Sequence, residues 1–253
     1  MKTSRTLNMT AGNPTRLLLS FAIPMLIGNL FQQTYSLADS MIVGQFLGSD
    51  ALAAVGSTGS VTFLFFSICN GIGSGAGIVT AQFFGAGMFA RTKRAIANAA
   101  YIMLTASLLM GVAAFFAAPL VLGMMGVPEE LMADATTYMR MSCIGVPLVA
   151  VYNYSSSMLR SLGDSKTPLF FLIFSCFLNI VLDILCVYTL NMGVFGAALA
   201  TIVSQVISGI GCLMYAIRKN PYFRLTREDM QPDGEIIRQS VRLGLPMALQ
   251  WSL

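Results

Sequence analysis

The sequence contains no histidine and few charged residues. Lys and Arg number 15 and Asp and Glu number 11, so charged residues make up 10% of the 253, whereas a soluble domain has about 25%. The absence of histidine excludes His-based catalytic triads and His metal ligands, and it leaves any proton chemistry to carboxylates. The chain is 56% hydrophobic, with a mean hydropathy of +0.73. We therefore expect an all-α membrane protein in a lipid bilayer and not an enzyme.

The sequence also lacks the motifs that bind common cofactors. All five cysteines lie in apolar segments without CxxC spacing, which favours small buried side chains. The glycine-rich stretch GIGSGAG at residues 71–77 has neither a preceding strand nor the lysine of a nucleotide-binding loop. We predict no cofactor, no nucleic-acid partner and no metal beyond a possible Na⁺.

Long apolar segments predict six membrane-spanning helices and the start of a seventh near residue 235. The predicted spans are residues 14–46, 51–84, 96–122, 131–162, 168–189 and 194–217. Pro24 lies inside the first span, where it frees a backbone carbonyl and predicts a conformational kink. The pairs Gly71/Gly75 and Gly73/Gly77 predict close packing of the second helix.

The basic residues predict the orientation of the chain. If the N-terminus is cytoplasmic, every one of the 15 Lys and Arg except Arg140 lies on the inner side. This set includes Lys2 and Arg5 near the N-terminus and a basic loop before the third span, with Arg91, Lys93 and Arg94. We predict a multi-pass protein of the plasma (inner) membrane with a cytoplasmic N-terminus.

An internal repeat predicts the architecture. Arg16, Pro24 and Met25 align without gaps on Arg238, Pro246 and Met247, at an offset of 238 − 16 = 222 residues. An even number of spans gives both copies the same orientation, which is typical of transporters built from two parallel halves. Two unrelated proline-containing helices are the alternative interpretation.

The predicted domains follow from this repeat. They are an N-terminal transmembrane lobe at 1–217, a cytoplasmic linker at 218–234 and the truncated start of a C-terminal lobe at 235–253. The chain would then be one half of a two-lobe transporter whose partner is the missing C-terminal lobe.

Two acidic residues lie deep in apolar segments. Asp39 is in the first span, and Asp183 is in the fifth, one turn after Asn179. A carboxylate at that depth is costly unless it is partnered or faces a water-filled cavity. At about 1.5 Å per residue from the helix ends, both acids, Asn179 and Thr201 reach similar heights, so they converge if spans one, five and six are neighbours.

These four oxygen-bearing side chains suit either of two cations. Carboxylate, amide and hydroxyl oxygens are ligands for Na⁺, and the same carboxylates are alternatively proton carriers. An interfacial Asp39 and a hydrogen-bonded structural Asp183 remain the other interpretation. Tyr35, Tyr138, Tyr152 and Tyr154 suit stacking on a cationic aromatic substrate, although tyrosine is also common at membrane interfaces.

Several motifs resemble the multidrug and toxic compound extrusion (MATE) antiporters of prokaryotes. They are Pro24 to Asp39-x-x-Ile-Val-Gly44, ALAAVG at 51–56, QFFGAG at 82–87, LRSLGDSKTP at 159–168 and Asn179-x-x-x-Asp183. The resemblance implies two six-helix lobes in an inverted V that export drugs and other organic cations by alternating access, coupled to inward H⁺ or Na⁺.

The resemblance also assigns roles to single residues. It implies that Asp39, Asn179, Asp183 and Thr201 form the cation site of the N-terminal lobe. It further implies that Gln33 and Asn153 line the substrate cavity. From the residues alone, hydrogen bonding between packed helices explains Asn153 and Gln33 equally well.

Two other functions remain open at this stage. A lipid-linked oligosaccharide flippase of the same superfamily handles a large anionic headgroup and predicts a basic cavity. Only Arg140 lies well inside a predicted span, which argues against that function. A non-transporting membrane fragment or scaffold is the second alternative.

Overall fold

The computed structural model describes residues 13–252 and contains no β-strand in that range. Lys2 and Arg5, on which part of the predicted orientation rests, lie outside the described residues. The helices are α1 (Pro14–Leu47), α2 (Ser49–Gly85), α3 (Phe89–Met124), α4 (Glu129–Ser161), α5 (Lys166–Asp183), α6 (Gly193–Lys219) and α7 (Gly234–Ser252). The predicted all-α lobe with the start of a seventh helix is confirmed.

Five segments of the described chain are long and apolar enough to cross a membrane. They are α1, α2, α3, α6 and α5 together with the π-helical segment Ile184–Thr189 that follows it. Helix α4 has 33 residues, a similar length, but its sequence is less apolar. It carries acidic residues in its first turn and a polar run at residues 153–157. We still interpret α4 as a membrane span, which brings the five segments above to the six that the sequence predicts.

The helix ends differ from the sequence prediction mainly on the basic side. Arg91, Lys93 and Arg94 lie in the first turns of α3, not in a loop, and Arg218 and Lys219 complete the last turn of α6 instead of starting the linker. Long basic side chains reach water or headgroups from a helix end, so the helix continues past its apolar core.

Asn13 caps the start of α1, because its side-chain oxygen accepts from the backbone N–H groups of Thr15 and Arg16 at 3.0 and 3.4 Å. Helix α1 is continuous through Pro24, and the predicted kink there remains a prediction. Between α1 and α2 the junction is the single residue Gly48, with φ of 92°.

Small residues allow α2 and α7 to approach closely. A Cβ atom added to Gly71 would lie 2.3 Å from Cα of Ala248, and one added to Gly75 would lie 2.4 Å from the carbonyl oxygen of Ser240. Gly244 in turn faces Ile72, at 2.8 Å. The predicted close packing of the second helix is therefore present, and its partner is the seventh helix.

Helices α1, α5 and α6 are mutual neighbours. Gly28 of α1 faces Leu172 of α5, with a Cβ-to-side-chain distance of 3.4 Å, and Gly211 of α6 faces the Phe171 ring of α5 at 2.8 Å. These contacts meet the condition under which the four predicted site residues converge.

The connection between α6 and α7 is held against α3. Buried Asn98 donates to the carbonyl of Gln231 at 3.3 Å and accepts from the backbone N–H of Asp233 at 2.9 Å. Tyr101 donates to the carbonyl of Met230 at 2.9 Å, and Lys93 donates to that of Arg224 at 3.2 Å. The connection is therefore a folded part of the lobe.

Candidate cation site

The carboxyl groups of Asp39 and Asp183 meet between α1 and α5. Asp183 is the last residue of α5 and is completely buried, while Asp39 is half-buried. The two carboxyl groups are close enough to interact electrostatically. Oδ1 of each acid is buried and has no hydrogen-bond partner among the described residues. Because two ionised carboxylates repel at this separation, the arrangement favours a proton or a metal cation between them.

Asn179 links the acid pair to α6. The residue is 1% exposed and precedes Asp183 by one helical turn. In one orientation its amide nitrogen donates to the hydroxyl of Thr201 at 3.3 Å. In the reversed orientation the nitrogen donates to Oδ2 of Asp183 at 3.1 Å and the amide oxygen accepts from the Thr201 N–H at 3.3 Å. The reversed orientation is the better one, because it pairs both ends of the amide with complementary groups.

Tyr35 and Tyr138 join the site from α1 and α4. The Tyr35 side chain lies near that of Thr201, and both tyrosines lie close enough to Asp39 and Asp183 for an electrostatic interaction. Sequence reasoning considered them only as substrate-stacking or interfacial residues. The sequence does contain a signal for Tyr35, because this residue lies one helical turn before Asp39 and so on the same face of α1. No local pattern in the sequence places Tyr138 near the acid pair.

Two apolar clusters enclose the acid pair. On one side Val43 and Val187, each one turn after an acid, pack with Val194 and neighbouring residues. On the other side Leu172 and Cys176 of α5 pack with Tyr152 of α4, and Phe31 and Tyr35 cover them. Apolar walls lower the local dielectric constant and so strengthen the interaction between the carboxyl groups and a bound cation.

The structure does not bring every predicted site residue to the acid pair. Gln33 is exposed on α1, Asn153 is half-buried on α4, and neither side chain has a hydrogen bond within the described part of the chain. Their role in a substrate cavity stays a prediction. The four residues predicted for the cation site are adjacent, and together they present carboxylate, amide and hydroxyl oxygens.

Comparison with known proteins assigns the chain to a family. The sequence model of the MatE family matches residues 24–185. The probable multidrug resistance protein YpnP of Bacillus subtilis is 33% identical over 245 residues, which cover 96% of this chain and 54% of that protein. The FAD transporter of Shewanella oneidensis is 30% identical over 200 residues, which cover 76% of this chain and 43% of that protein.

Solved structures agree with this assignment. A transporter of the MOP superfamily from Pyrococcus furiosus, described as having a binding pocket of reverse polarity, matches with a TM-score of 0.84 and 31% identity over 99% of this chain and 56% of that one. A MATE protein in its bent conformation gives 0.84, with 31% identity over 98% of this chain and 55% of that one. The chain spans about half the length of the relatives it matches. It belongs to the MatE family of membrane transporters.

Proposed function

We propose that this lobe binds the coupling cation of an antiporter that exports drugs or other organic cations by alternating access. The observation that carries the proposal is the proximity of the carboxyl groups of Asp39 and Asp183, on helices whose neighbouring turns form two apolar clusters. Relatives named as multidrug resistance and multidrug export proteins support the substrate class. Since those relatives are about twice as long, transport belongs to a two-lobe assembly.

The cation acts by holding α1 against α5. A proton or Na⁺ between Asp39 and Asp183 replaces their repulsion with attraction, and Tyr35, one turn before Asp39, brings α1 close to Thr201 of α6. When the cation leaves, repulsion favours a movement of α1. Because Gln33 is exposed on the same helix, this movement reshapes the surface that faces substrate.

The orientation proposed here follows from the basic residues. The N-terminal turns of α3 and the connection between α6 and α7 meet at one end of the lobe, as the contact between Lys93 and Arg224 demonstrates. Arg160 near the end of α4 and Lys166 at the start of α5 carry the same charge. Placing this basic end in the cytoplasm of the plasma membrane satisfies the positive-inside rule.

Cation binding by the purified chain tests the proposal without requiring transport. The midpoint of thermal unfolding should rise with NaCl at constant ionic strength, or change with pH in Na⁺-free buffer, because a ligand of the folded state stabilises it. Asp39→Asn and Asp183→Asn should each abolish this response, whereas Asp50→Asn, at an exposed acid next to Ser49, should retain it. A wild-type response in both site variants would refute the cation site.

The NaCl and pH titrations also distinguish Na⁺ from H⁺ as the coupling ion. Stabilisation by Na⁺ over choline at fixed pH would identify Na⁺. A response confined to the pH series, again absent from both site variants, would identify H⁺. In a two-lobe protein containing this lobe, the same substitutions should abolish cation-dependent drug export while leaving the amount of protein in the membrane unchanged.

The flippase alternative requires cationic side chains that face a central cavity. Here Arg140 lies over the Phe115 ring, 5.2 Å from its centre, and Arg160 is hydrogen-bonded to Ser156. Neither arrangement favours an anionic headgroup as substrate. Complementation of a flippase-deficient strain by a two-lobe protein containing this lobe would favour the flippase over the exporter.

A further inference from the structure

Buried side-chain oxygens without a partner are concentrated around the acid pair. In residues 13–252 six buried side-chain oxygen atoms have no hydrogen-bond partner, and five of them lie on α1, α5 and α6. Two belong to Asp39 and Asp183, and the other three belong to Ser175, Gln205 and Ser208. Unpartnered buried polar atoms are rare because desolvation is costly, so a cluster of them indicates a ligand.

Ser175, Gln205 and Ser208 lie along the interface between α5 and α6, which we call the seam. Asn179 contacts Thr201 at one end of the seam, and Phe171 contacts Gly211 at the other. Ser175 lies one turn from both Asn179 and Phe171 and therefore shares their face of α5.

The same reasoning applies to α6. Gln205 and Ser208 follow Thr201 by four and seven residues, which places all three on one face of that helix. Between the Asn179–Thr201 and Phe171–Gly211 contacts, the face of α5 that carries Ser175 is therefore directed toward the face of α6 that carries Ser208.

The two serines differ from two other buried serines, Ser204 of α6 and Ser155 of α4. Ser204 donates to the carbonyl of Thr201 at 2.9 Å, and Ser155 donates to that of Val151 at 2.8 Å, which is the usual way a helix satisfies a buried hydroxyl. Ser175 and Ser208 are 2% and 0% exposed, yet neither hydroxyl has such a bond. Both hydroxyls thus remain available to a ligand in the seam.

The seam leads from the acid pair into the lobe and then ends. Thr201 and Ser208 are separated by about 10 Å along the helix axis, at about 1.5 Å per residue. Beyond Ser208 the lobe is apolar, because fully buried Cys212 packs with Leu159 and Leu162. Arg160 and Asp164 both lie near this end, since each interacts electrostatically with Cys212.

We propose that Ser175, Gln205 and Ser208 form a second, neutral subsite for the coupling cation, next to the acid pair. The subsite takes a small monovalent cation, Na⁺ or hydronium, through two hydroxyl oxygens and one amide oxygen, with water completing its shell. A neutral subsite that binds the cation weakly, next to carboxylates that bind it strongly, allows the cation to leave the carboxylates stepwise, as multi-site conduction requires. This inference rests on the proposed cation-binding function.

The cation titration of the purified chain tests the subsite. In Ser175→Ala/Ser208→Ala, the NaCl concentration that gives half of the maximal thermal stabilisation should rise about threefold or more, because ligand oxygens are lost while the carboxylates remain. If the chain responds only to protons, the pH midpoint of the response should shift instead. Ser204→Ala is the matched control, and it should titrate like the wild type because its hydroxyl serves the helix backbone.

If Ser175→Ala/Ser208→Ala does not fold, Gln205→Leu tests the subsite instead. It should likewise raise the NaCl concentration that gives half of the maximal thermal stabilisation. Wild-type titration of every folded variant, together with a lost response in Asp183→Asn, would overturn the subsite and leave the proposed function standing. An unchanged response in Asp183→Asn as well would refute the proposed function itself.

Discussion

Asp183 is tolerated in an apolar helix because its surroundings supply both a partner and a polar bridge. Asn179 reaches its Oδ2 from the preceding turn, and Asp39 approaches from α1. The site is therefore held by three helices, and each contributes a side chain that has no role in the apolar packing. A carboxylate without these neighbours would be costly at this depth.

Asn179 is the residue whose loss should weaken the site without removing a charge. Asn179→Leu breaks the bridge between Asp183 and Thr201 and should weaken cation binding several-fold, corresponding to about 1 kcal/mol for one hydrogen bond. The cation titration of thermal unfolding measures this change. Thr201→Ser, which keeps the hydroxyl and the backbone N–H, serves as the control. Equal titrations for Asn179→Leu and the wild type would show that the bridge does not contribute.

At the scale of single elements, each face of α2 has a different partner. Gly71 and Gly75 face α7, whereas Gly73 faces Met103 of α3 and Gly77 faces Ser157 of α4. Alternating glycines thus allow one helix to approach three others. Van der Waals contact over closely spaced backbones is the main source of helix association in a membrane, where the hydrophobic effect no longer drives it.

Gly75→Leu should disrupt the packing of α2 on α7. Its side chain would meet the backbone of Ser240 and Gly244, which cannot move as a flexible side chain does, and overpacking of this kind costs about 1–3 kcal/mol or more. We expect a lower unfolding midpoint and less folded protein in detergent. Gly56→Leu is the control on the same helix, because no atom lies within 4 Å of a Cβ there. Equal losses in both variants would indicate a general effect of leucine in α2.

At the scale of the whole molecule, the connection between α6 and α7 makes the described chain one packed unit. Asn98 is completely buried and holds the connection by both ends of its amide. Phe223, also buried, packs into the cluster formed with Leu159 and Cys212.

Partial burial raises the pKa of Asp229 in the same connection, but the hydrogen bonds from Thr226 outweigh this effect and hold the pKa below its usual value.

Asn98→Ala should release the connection from α3. The substitution leaves the carbonyl of Gln231 and the N–H of Asp233 without their side-chain partner, at a cost of about 1–3 kcal/mol. Trypsin should then cleave faster after Arg224 and Arg227, which limited proteolysis followed by mass spectrometry would detect. Tyr101→Phe removes a single bond to Met230 and should give an intermediate rate. Unchanged cleavage in Asn98→Ala would mean that other contacts hold the connection.

The sequence alone determined the class of protein and the number and approximate limits of its helices, and it predicted the four residues that the structure brings together at the candidate cation site. Hydropathy, proline and glycine positions and the four-residue spacing of Asn179 and Asp183 are local properties, and local properties are readable along the chain. The basic ends of the helices were misplaced because charged side chains can extend a helix beyond its apolar span.

Only the tertiary structure decided which side chains meet. The proximity of Asp39 to Asp183, the approach of Tyr138 and the burial of the unpartnered hydroxyls of Ser175 and Ser208 all depend on how α1, α4, α5 and α6 are rotated and displaced relative to one another. Counting residues from a helix end fixes depth to about one turn but leaves rotation undetermined. Side-chain packing between helices distant in sequence sets that rotation. The spacing of Thr201, Gln205 and Ser208 therefore indicates a shared face of α6 but not which residues that face meets.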